Sequence, residues 1–326
     1  MDANNRQTGF ALTPPTATAP KPSKIPARRG RKAIEHREPT QQELDLFHLS
    51  LEIDQKNARE HDQIGYIATA MIHASLPHSK VDGAIFKRRN GDLQISILND
   101  PDIGLPYGKM PRVITAFLCT EAKLKQNPEI HLGRSQAEFA KKLGLSTGGG
   151  PNGDITRLKE QARRLFTSHI TLLGDPNQQF HWRNVNITNG GMLLWNPHNP
   201  HERGPWESKL MLSLDFFNEC VQHGVPIDLR VLQKLRSPLA IDIYVWMTYR
   251  YHVIKHPTPI SWKQLKWQFG SNYGDDEQGL HNFISNFKAA LRKVAAVYRA
   301  AKFNVGPYTL TLLPSPTHVP PAPERD

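Results

Sequence analysis

Two stretches of the sequence place hydroxyl, amide and basic side chains along one face of a predicted helix. The first helix is predicted to begin between Pro151 and Asp154 and to end near Thr167, because its apolar residues recur at helical spacing. The opposite face carries Thr156, Arg157, Arg163 and Arg164. Such side chains hold phosphates and read base edges in a major groove. We therefore predict that this helix contacts double-stranded DNA.

The second helix is predicted from Leu280 to about Lys302, with a stripe of aromatic and aliphatic residues on one side. Its other side presents amide, hydroxyl and basic groups, namely Asn282, Ser285, Asn286, Lys288, Arg292 and Lys293. Asparagine pairs well with adenine and arginine with guanine. This helix is predicted to contribute most of the base readout.

A turn and a hairpin flank the first basic helix in the order of a winged helix-turn-helix. Ser135 is predicted to cap a short helix, and the glycine-rich run 146–153 turns the chain into the basic helix. Strands are predicted at 170–173 and 180–187, and their hairpin would carry Arg183 as a DNA contact of the wing. An ordinary basic amphipathic helix packed beside a hairpin is the alternative interpretation of this segment.

The later part of the chain repeats this layout. A helix is predicted to begin at Pro238 with Ser237 as its cap, a short helix covers 261–269, the long basic helix follows, and 303–313 alternates as a closing strand. The predicted fold class is therefore α+β, mainly helical, with two tandem winged-helix domains.

The predicted organisation has five parts. Residues 1–37 are rich in proline, threonine, alanine and basic residues, which predicts a disordered basic tail. The segment 38–106 is predicted to hold a helix over 40–73, with Leu44, Phe47 and Leu51 on its apolar stripe, and a short strand pair over 85–97. The remaining parts are a first winged-helix domain over 107–225, a second over 226–314 and a disordered tail over 315–326.

The composition favours a nucleic-acid partner. The chain of 326 residues has a formal net charge of +11, and the positive excess lies in the basic tail and in the two predicted winged domains. Its two cysteines, Cys119 and Cys220, stand among apolar residues and are predicted to be buried thiols. Neither a signal peptide nor a membrane span is predicted, so we expect a cytoplasmic protein with no membrane partner.

No catalytic, metal or cofactor site is predicted. The pairs His198/His201 and Cys220/His223 have a spacing that zinc ligands could use. Three of the four are histidines in proline-rich or loop-like sequence, and Cys220 follows Phe216 and Phe217 like a core residue, so zinc binding is not favoured. The glycines at 148–150 are followed by proline and asparagine, so no lysine stands where a nucleotide-binding loop needs one. We expect a protein that is not an enzyme.

Several separate blocks, in this order, resemble one family. They are GLPYGKMPR at 104–112, IHLGRSQAEFAKKLGLSTGGG at 130–150, ITRLKEQARRLF at 155–166, SPLAIDIYVWMTYR at 237–250 and ISWKQLKWQFG at 260–270. Over about residues 85–314 the chain resembles the RepA family of plasmid replication initiators.

The resemblance implies paired winged helices that bind direct repeats (iterons) in double-stranded origin DNA and help to melt the adjacent duplex. It also implies recruitment of host replication proteins, including the replicative helicase and the host initiator protein. In related initiators dimers tend to repress and monomers to initiate, so the resemblance implies a homodimer formed through the first winged domain.

Two alternatives remain open. A transcriptional repressor of the same fold would bind repeated sites over a promoter rather than at an origin. An origin-nicking or helicase enzyme would cleave a strand or turn over ATP.

Overall fold

The computed structural model describes residues 39–91, 93–148, 153–174, 182–196, 198–205 and 207–321. The basic tail 1–37, most of the glycine cluster, the turn of the predicted wing and the last five residues lie outside this set. Helix occupies more of the chain than strand, in a mixed α/β arrangement. This agrees with the predicted mainly helical composition.

The segment 40–73 is a helix followed by a strand and a helical turn. Helix α1 (Gln41–Gln55) starts at Thr40, whose hydroxyl accepts from Glu43 N while the Glu43 carboxylate accepts from Thr40 N. Strand β1 (Ile64–Ala68) and the short helix α2 (Thr69–His73) follow. The prediction of continuous helix over 40–73 is therefore wrong after residue 55.

Helix α1 buries a different face from the predicted one. Leu46 and Leu49 are buried against the body, whereas Leu44, Phe47 and Leu51 share a face that is exposed to solvent. Periodicity had identified an apolar stripe, but a second leucine pair at 46 and 49 makes the contact with the core.

The predicted strand pair belongs to a larger sheet. Strands β2 (Ile85–Asn90) and β3 (Leu93–Leu98) form the expected antiparallel hairpin. Helix α3 (Lys109–Lys125), strand β4 (Glu129–Gly133), helix α4 (Gln136–Lys142) and helix α5 (Asp154–Phe166) come next. Strands β5 (His169–Leu173) and β6 (Trp182–Asn184) then pair with each other, and β5 also pairs with β3, which gives the order β2-β3-β5-β6.

A second sheet and two helices follow. Strand β7 (Thr188–Met192) pairs with β8 (Ser208–Leu212), which also pairs with β4. Helix α6 (Leu214–His223), strand β9 (Gly224–Asp228) and helix α7 (Leu229–Lys234) complete this part. Strand β9 pairs with β1, and a side chain at Gly65 on β1 would collide with Leu229.

The predicted strand 180–187 is interrupted. The chain leaves the four-stranded sheet after Asn184 and enters the β4-β8-β7 sheet at Thr188.

The last part has the order helix, strand, helix, helix, hairpin. Helix α8 (Pro238–Val253) starts at its predicted cap, Ser237, and is buried on most sides. Strand β10 (Thr258–Ser261), helix α9 (Trp262–Phe269) and helix α10 (Glu277–Val297) follow, and α10 starts three residues earlier and ends five earlier than predicted. The predicted closing strand is a hairpin, β11 (Phe303–Val305) and β12 (Thr309–Leu312), and the sheet order is β10-β12-β11.

One hydrophobic core connects these elements, and the end of the chain packs against it. Buried residues from α1, the four-stranded sheet, α3, α5, α8 and α10 belong to one cluster. Val319 is 1% exposed, and His318 lies 2.8 Å from the Tyr244 hydroxyl. The predicted disorder is therefore wrong for residues 315–321. Val319 is buried, and His318 is hydrogen-bonded to Tyr244.

Candidate nucleic-acid interface

Helix α5 exposes part of the predicted basic face. Ile155, Leu158, Ala162 and Leu165 are buried against α3 and α4, so the helix can turn only its other side to solvent. Thr156, Arg157 and Arg163 are exposed on that side, and the Arg157 guanidinium lies 3.6 Å from Asp154 one turn earlier. This places a hydroxyl and two guanidinium groups along about two turns of helix.

Arg164 belongs to the body rather than to this face. Its Nη2 atom lies 2.6 Å from Glu160, its Nη1 atom donates to the Leu105 carbonyl at 3.1 Å, and its guanidinium stacks 5.3 Å from the Tyr107 ring centroid. These contacts hold the side chain against the loop before α3. The position does not favour the predicted DNA contact.

Arg183 also points inward. It is opposite Leu172 in the sheet, and its Nη2 atom lies 2.8 Å from the buried carboxylate of Glu219 on α6. The other oxygen of Glu219 accepts from Ala70 N at 2.9 Å. Arg183 therefore neutralises a buried charge, and a contact with DNA would have to compete with that ion pair.

Helix α10 exposes a longer polar stripe. Phe283, Phe287, Leu291 and Val294 are buried, which fixes the opposite side toward solvent. Asn282, Ser285, Asn286 and Arg292 are exposed there, and Asn286 donates to the Tyr273 hydroxyl at 3.0 Å. The stripe from 282 to 292 is about 15 Å long, given the rise of an α-helix. It offers amides and a guanidinium, the groups that pair with adenine and guanine edges in a major groove.

The two lysines of α10 lie at the margins of this stripe and are half-buried. Lys288 Nζ lies 5.2 Å from the centroid of the Trp262 ring, and Lys293 Nζ donates to Gln42 of α1 at 3.0 Å. Arg299, just past the helix, pairs with Asp54 at the other end of α1. Helix α1 thus packs beside the C-terminal end of α10, where it contacts Lys293 and Arg299 just beyond the last exposed residue of the stripe, Arg292.

The two polar faces lie on separate helices with separate supports. Helix α5 packs on α3 and α4, and helix α10 packs on α8, α9 and α1. Helix α3, which packs on α5, and helix α8, which packs on α10, are joined by a buried ion pair within the common core. Asp242 accepts from Arg112 Nε at 2.6 Å and from Arg112 Nη2 at 2.7 Å, the bidentate geometry that guanidinium and carboxylate favour.

The surroundings of this pair satisfy the remaining donors and acceptors. Ser75 donates to Asp242, His78 Nε2 lies 2.8 Å from it, and Arg112 also donates to the carbonyls of Leu76, Pro77 and Gly108. Burial alone would raise the pKa of Asp242, but the charge and hydrogen bonds of Arg112 and His78 hold it below its ordinary value. Burial lowers the pKa of His78 in spite of Asp242.

Sequence reasoning missed this network, although a signal was present. Asp242 is the only carboxylate in α8, a helix that is otherwise mostly apolar. A carboxylate buried in such a helix has to be paired. The partner could not be identified from sequence, because Arg112 lies 130 positions away.

Arg88 on β2 is a second buried cation beside the same network. Burial lowers its pKa to about 10, and the charge of Asp242 opposes that shift. None of its three guanidinium nitrogens has a hydrogen-bond partner among the described residues. Burying the Arg88 guanidinium therefore costs desolvation free energy, which the attraction of the Asp242 carboxylate offsets.

The structure describes both cysteines and the histidines that were considered as zinc ligands. Within the described ranges, no group of three or more His, Cys, Asp or Glu side chains is arranged to hold a metal ion. Cys119 and Cys220 are free and buried, as predicted, and burial raises the pKa of Cys220 well above its ordinary value. No helix in the part of the chain that the structure describes is long and apolar enough to cross a membrane.

One protein family matches the central part of the chain. Residues 105–264 match the family model described as plasmid encoded RepA protein. The match begins just before α3 and ends within α9, so it contains α5 and leaves α10 outside. This confirms the resemblance inferred from the sequence blocks. No curated protein matches the chain.

Among solved structures, two of domains 2 and 3 of RctB match the chain. One is 11% identical with a TM-score of 0.47 and covers 75% of this chain and 97% of that chain. The other, of a selenomethionine derivative, is 11% identical with a TM-score of 0.49 and covers 74% of this chain and 95% of that chain.

Proposed function

We propose that this chain, whose residues 105–264 match the family model described as plasmid encoded RepA protein, initiates plasmid replication by binding double-stranded DNA at an origin. The family match is the observation that carries this proposal. The exposed faces of α5 and α10 supply the chemistry, because each presents donors to phosphates and base edges.

The proposed mode of binding is a pair of winged helices. The order α8, β10, α9, α10, β11, β12, with β10 in the sheet of the hairpin, favours this interpretation for the second unit. The first unit departs from it, because β4 pairs with β8 rather than with β5 or β6. Each unit is proposed to place one basic helix in a major groove, so that two units read a direct repeat on one side of the duplex.

In this account the protein acts without catalysis. Binding energy from several repeats would be used to distort and open the adjacent duplex, and the assembled complex would recruit the host helicase and host initiator protein. A homodimer through the first winged unit would hold the protein in a repressing state.

Replication in cells tests the proposal. A replicon from which this gene is deleted is expected to be maintained when the chain is supplied from a second, compatible plasmid. Arg163→Ala combined with Arg292→Ala is expected to abolish maintenance. Lys234→Ala combined with Lys255→Ala removes two exposed basic residues that belong to neither α5 nor α10 and is expected to preserve it.

The alternatives give different results in the same test. A repressor would leave maintenance unaffected by its loss and would lower expression from a promoter that contains its sites. An enzyme would nick the origin or hydrolyse ATP when purified, and either activity would contradict the proposed mode of action.

A further inference from the structure

The outer face of the sheet β2-β3-β5-β6 is a surface that the proposed duplex contacts do not use. Side chains alternate between the two faces of a strand. Phe86 and Arg88 point into the core and are buried, whereas Lys87 and Arg89 are exposed. Residues opposite each other in adjacent strands share a face. The strand register therefore identifies which residues of β3, β5 and β6 share the outer face with Lys87 and Arg89.

Two rows of side chains cross all four strands on this face. The first row consists of Lys87, Ser96, Thr171 and Asn184. The second row consists of Arg89, Gln94, Leu173 and Trp182. A shorter third row of Ile85, Leu98 and His169 crosses three strands. These rows contain two permanent positive charges, and no carboxylate is among them.

Trp182 gives the face an aromatic surface. The residue is on strand β6 at the edge of the sheet, and 62% of it is exposed. It stands at one end of the second row and Arg89 at the other, three strand spacings or about 14 Å apart. Amide side chains lie between and beside them, Gln94 in the same row and Asn184 in the neighbouring one.

This combination fits single-stranded nucleic acid. Bases of a single strand have free faces that stack on aromatic side chains, while basic residues follow the backbone phosphates. Four-stranded sheets with exposed aromatic residues hold two or three bases in this way. In a duplex the base faces are stacked inside the helix, so a flat aromatic surface has little to bind.

We propose that the outer face of this sheet is a binding site for single-stranded DNA. A base stacks on Trp182, Lys87 and Arg89 contact phosphates, and Asn184 and Gln94 donate to base edges. The site uses no residue of α5 or α10. In a protein that opens an origin, this site would hold one strand of the melted region while α5 and α10 remain on the duplex. That role rests on the proposed function, whereas the single-strand binding itself does not.

Fluorescence anisotropy with the full-length chain and a labelled oligo(dT) strand tests the site. Trp182→Ala is expected to weaken oligo(dT) binding at least about fivefold, the lower end of what one stacked base contributes. Trp182→Phe keeps an aromatic face and is expected to retain most of the affinity. Binding to a duplex that contains the repeats is expected to be the same for all three proteins.

The double variant Lys87→Ala with Arg89→Ala tests the phosphate contacts. It is expected to weaken oligo(dT) binding and to reduce the dependence of log K on log salt by about 1.4, the effect of two fewer contacts to a single strand. The matched control is Lys234→Ala with Lys255→Ala, which removes the same charge from exposed positions elsewhere. Thermal unfolding of each variant checks that the fold is intact.

The outcomes separate this inference from the proposed function. Unchanged oligo(dT) affinity in Trp182→Ala, or an equal loss in the Lys234/Lys255 control, would overturn the single-strand site. Arg163→Ala and Arg292→Ala are expected to lose duplex binding and to keep oligo(dT) binding. Oligo(dT) binding through Trp182 in a chain that ignores origin repeats would leave this site standing and refute the proposed duplex role.

Discussion

Arg163 and Arg164 are adjacent on α5, yet their side chains have different environments. Arg163 is exposed on the helix surface. Arg164 forms an ion pair with Glu160, donates to the Leu105 carbonyl and lies over the Tyr107 ring. Sequence periodicity puts both outside the apolar stripe and cannot separate them. The difference depends on the loop before α3, which reaches Arg164 from 59 positions away.

The pair provides a matched test at the residue scale. Arg164→Ala is expected to lower the free energy of unfolding by about 1–3 kcal/mol, since charged hydrogen bonds are lost at a partly buried position. Arg163→Ala is expected to change stability by less than about 0.5 kcal/mol and to weaken DNA binding. Urea unfolding and duplex titration of both variants check this. Equal effects of the two substitutions on stability would contradict the assignment.

Arg292 is expected to differ from Lys288 in what it contributes to DNA binding. If Arg292 donates to a guanine edge, Arg292→Ala costs about 1–3 kcal/mol and relaxes the preference at one base pair. Lys288→Ala is expected to weaken all sequences alike and to reduce the salt dependence by about one contact. Titrations against a panel of single-base-pair variants of one repeat measure both. A uniform loss in Arg292→Ala would show a phosphate contact instead.

At the scale of elements, local signals predicted what local sequence controls. Ser135 and Ser237 cap their helices as predicted, because each hydroxyl accepts from the backbone N–H of the residue three positions later. Strand pairing across long separations was not predictable: β1 pairs with β9, and β4 with β8. The segment 64–68 has an apolar pattern that suits a helix or a strand, and only its partner at 224–228 decides.

The Arg112–Asp242 pair is expected to hold α3 and α8 together. Asp242→Asn keeps the shape but leaves the Arg112 charge buried without its counter-ion, so we expect a loss of about 3–5 kcal/mol in the free energy of unfolding. Arg112→Met combined with Asp242→Leu removes both charges and is expected to cost less than Asp242→Asn alone. Urea unfolding measures both variants. A larger loss in the double variant would contradict this account of the pair.

Arg88→Met offers a control beside the same network. Because none of its guanidinium nitrogens is hydrogen-bonded by the described residues, replacing the buried cation with an apolar side chain is expected to leave stability unchanged or raised. The contrast with Arg112 depends on hydrogen bonding rather than on charge, since both residues are buried arginines near Asp242.

At the scale of the whole molecule, stability is expected to fall in mild acid. Burial lowers the pKa of His73, His78 and His318 below the ordinary value of 6.5. The unfolded chain therefore binds protons below about pH 6.5 that the folded chain does not, and the free energy of unfolding decreases as the pH falls through this range. Three such groups give a slope of up to about 4 kcal/mol per pH unit. The depressed pKa of Asp242 adds a further loss at more acidic pH.

Unfolding in urea at several values between pH 7.5 and 5.5 tests this prediction. His318→Gln removes one of the three groups and is expected to reduce the slope by about a third. Stability that stays constant over this range would show that the three histidines bind protons in the folded protein as readily as in the unfolded chain. The same slope in His318→Gln would show this for His318 alone.

The molecule as a whole is more interconnected than the sequence indicated. Helical periodicity and turn signals predicted α4, α5 and α10 close to their observed positions. They did not predict that β2 and β3 extend the sheet of β5 and β6, that α1 covers α10, or that the chain end packs on Tyr244. Each of these depends on contacts between distant segments, which leave no periodic signal in either partner.

Footprinting of the purified chain on its parent replicon, at a stated salt concentration, tests the central claim most directly. We expect protection of direct repeats spaced by one or two helical turns, without strand cleavage, and loss of that protection in the Arg163→Ala and Arg292→Ala double variant. Protection of a single palindrome over a promoter would point instead to a repressor. Strand scission, or protection that the double variant retains in full, would contradict the account.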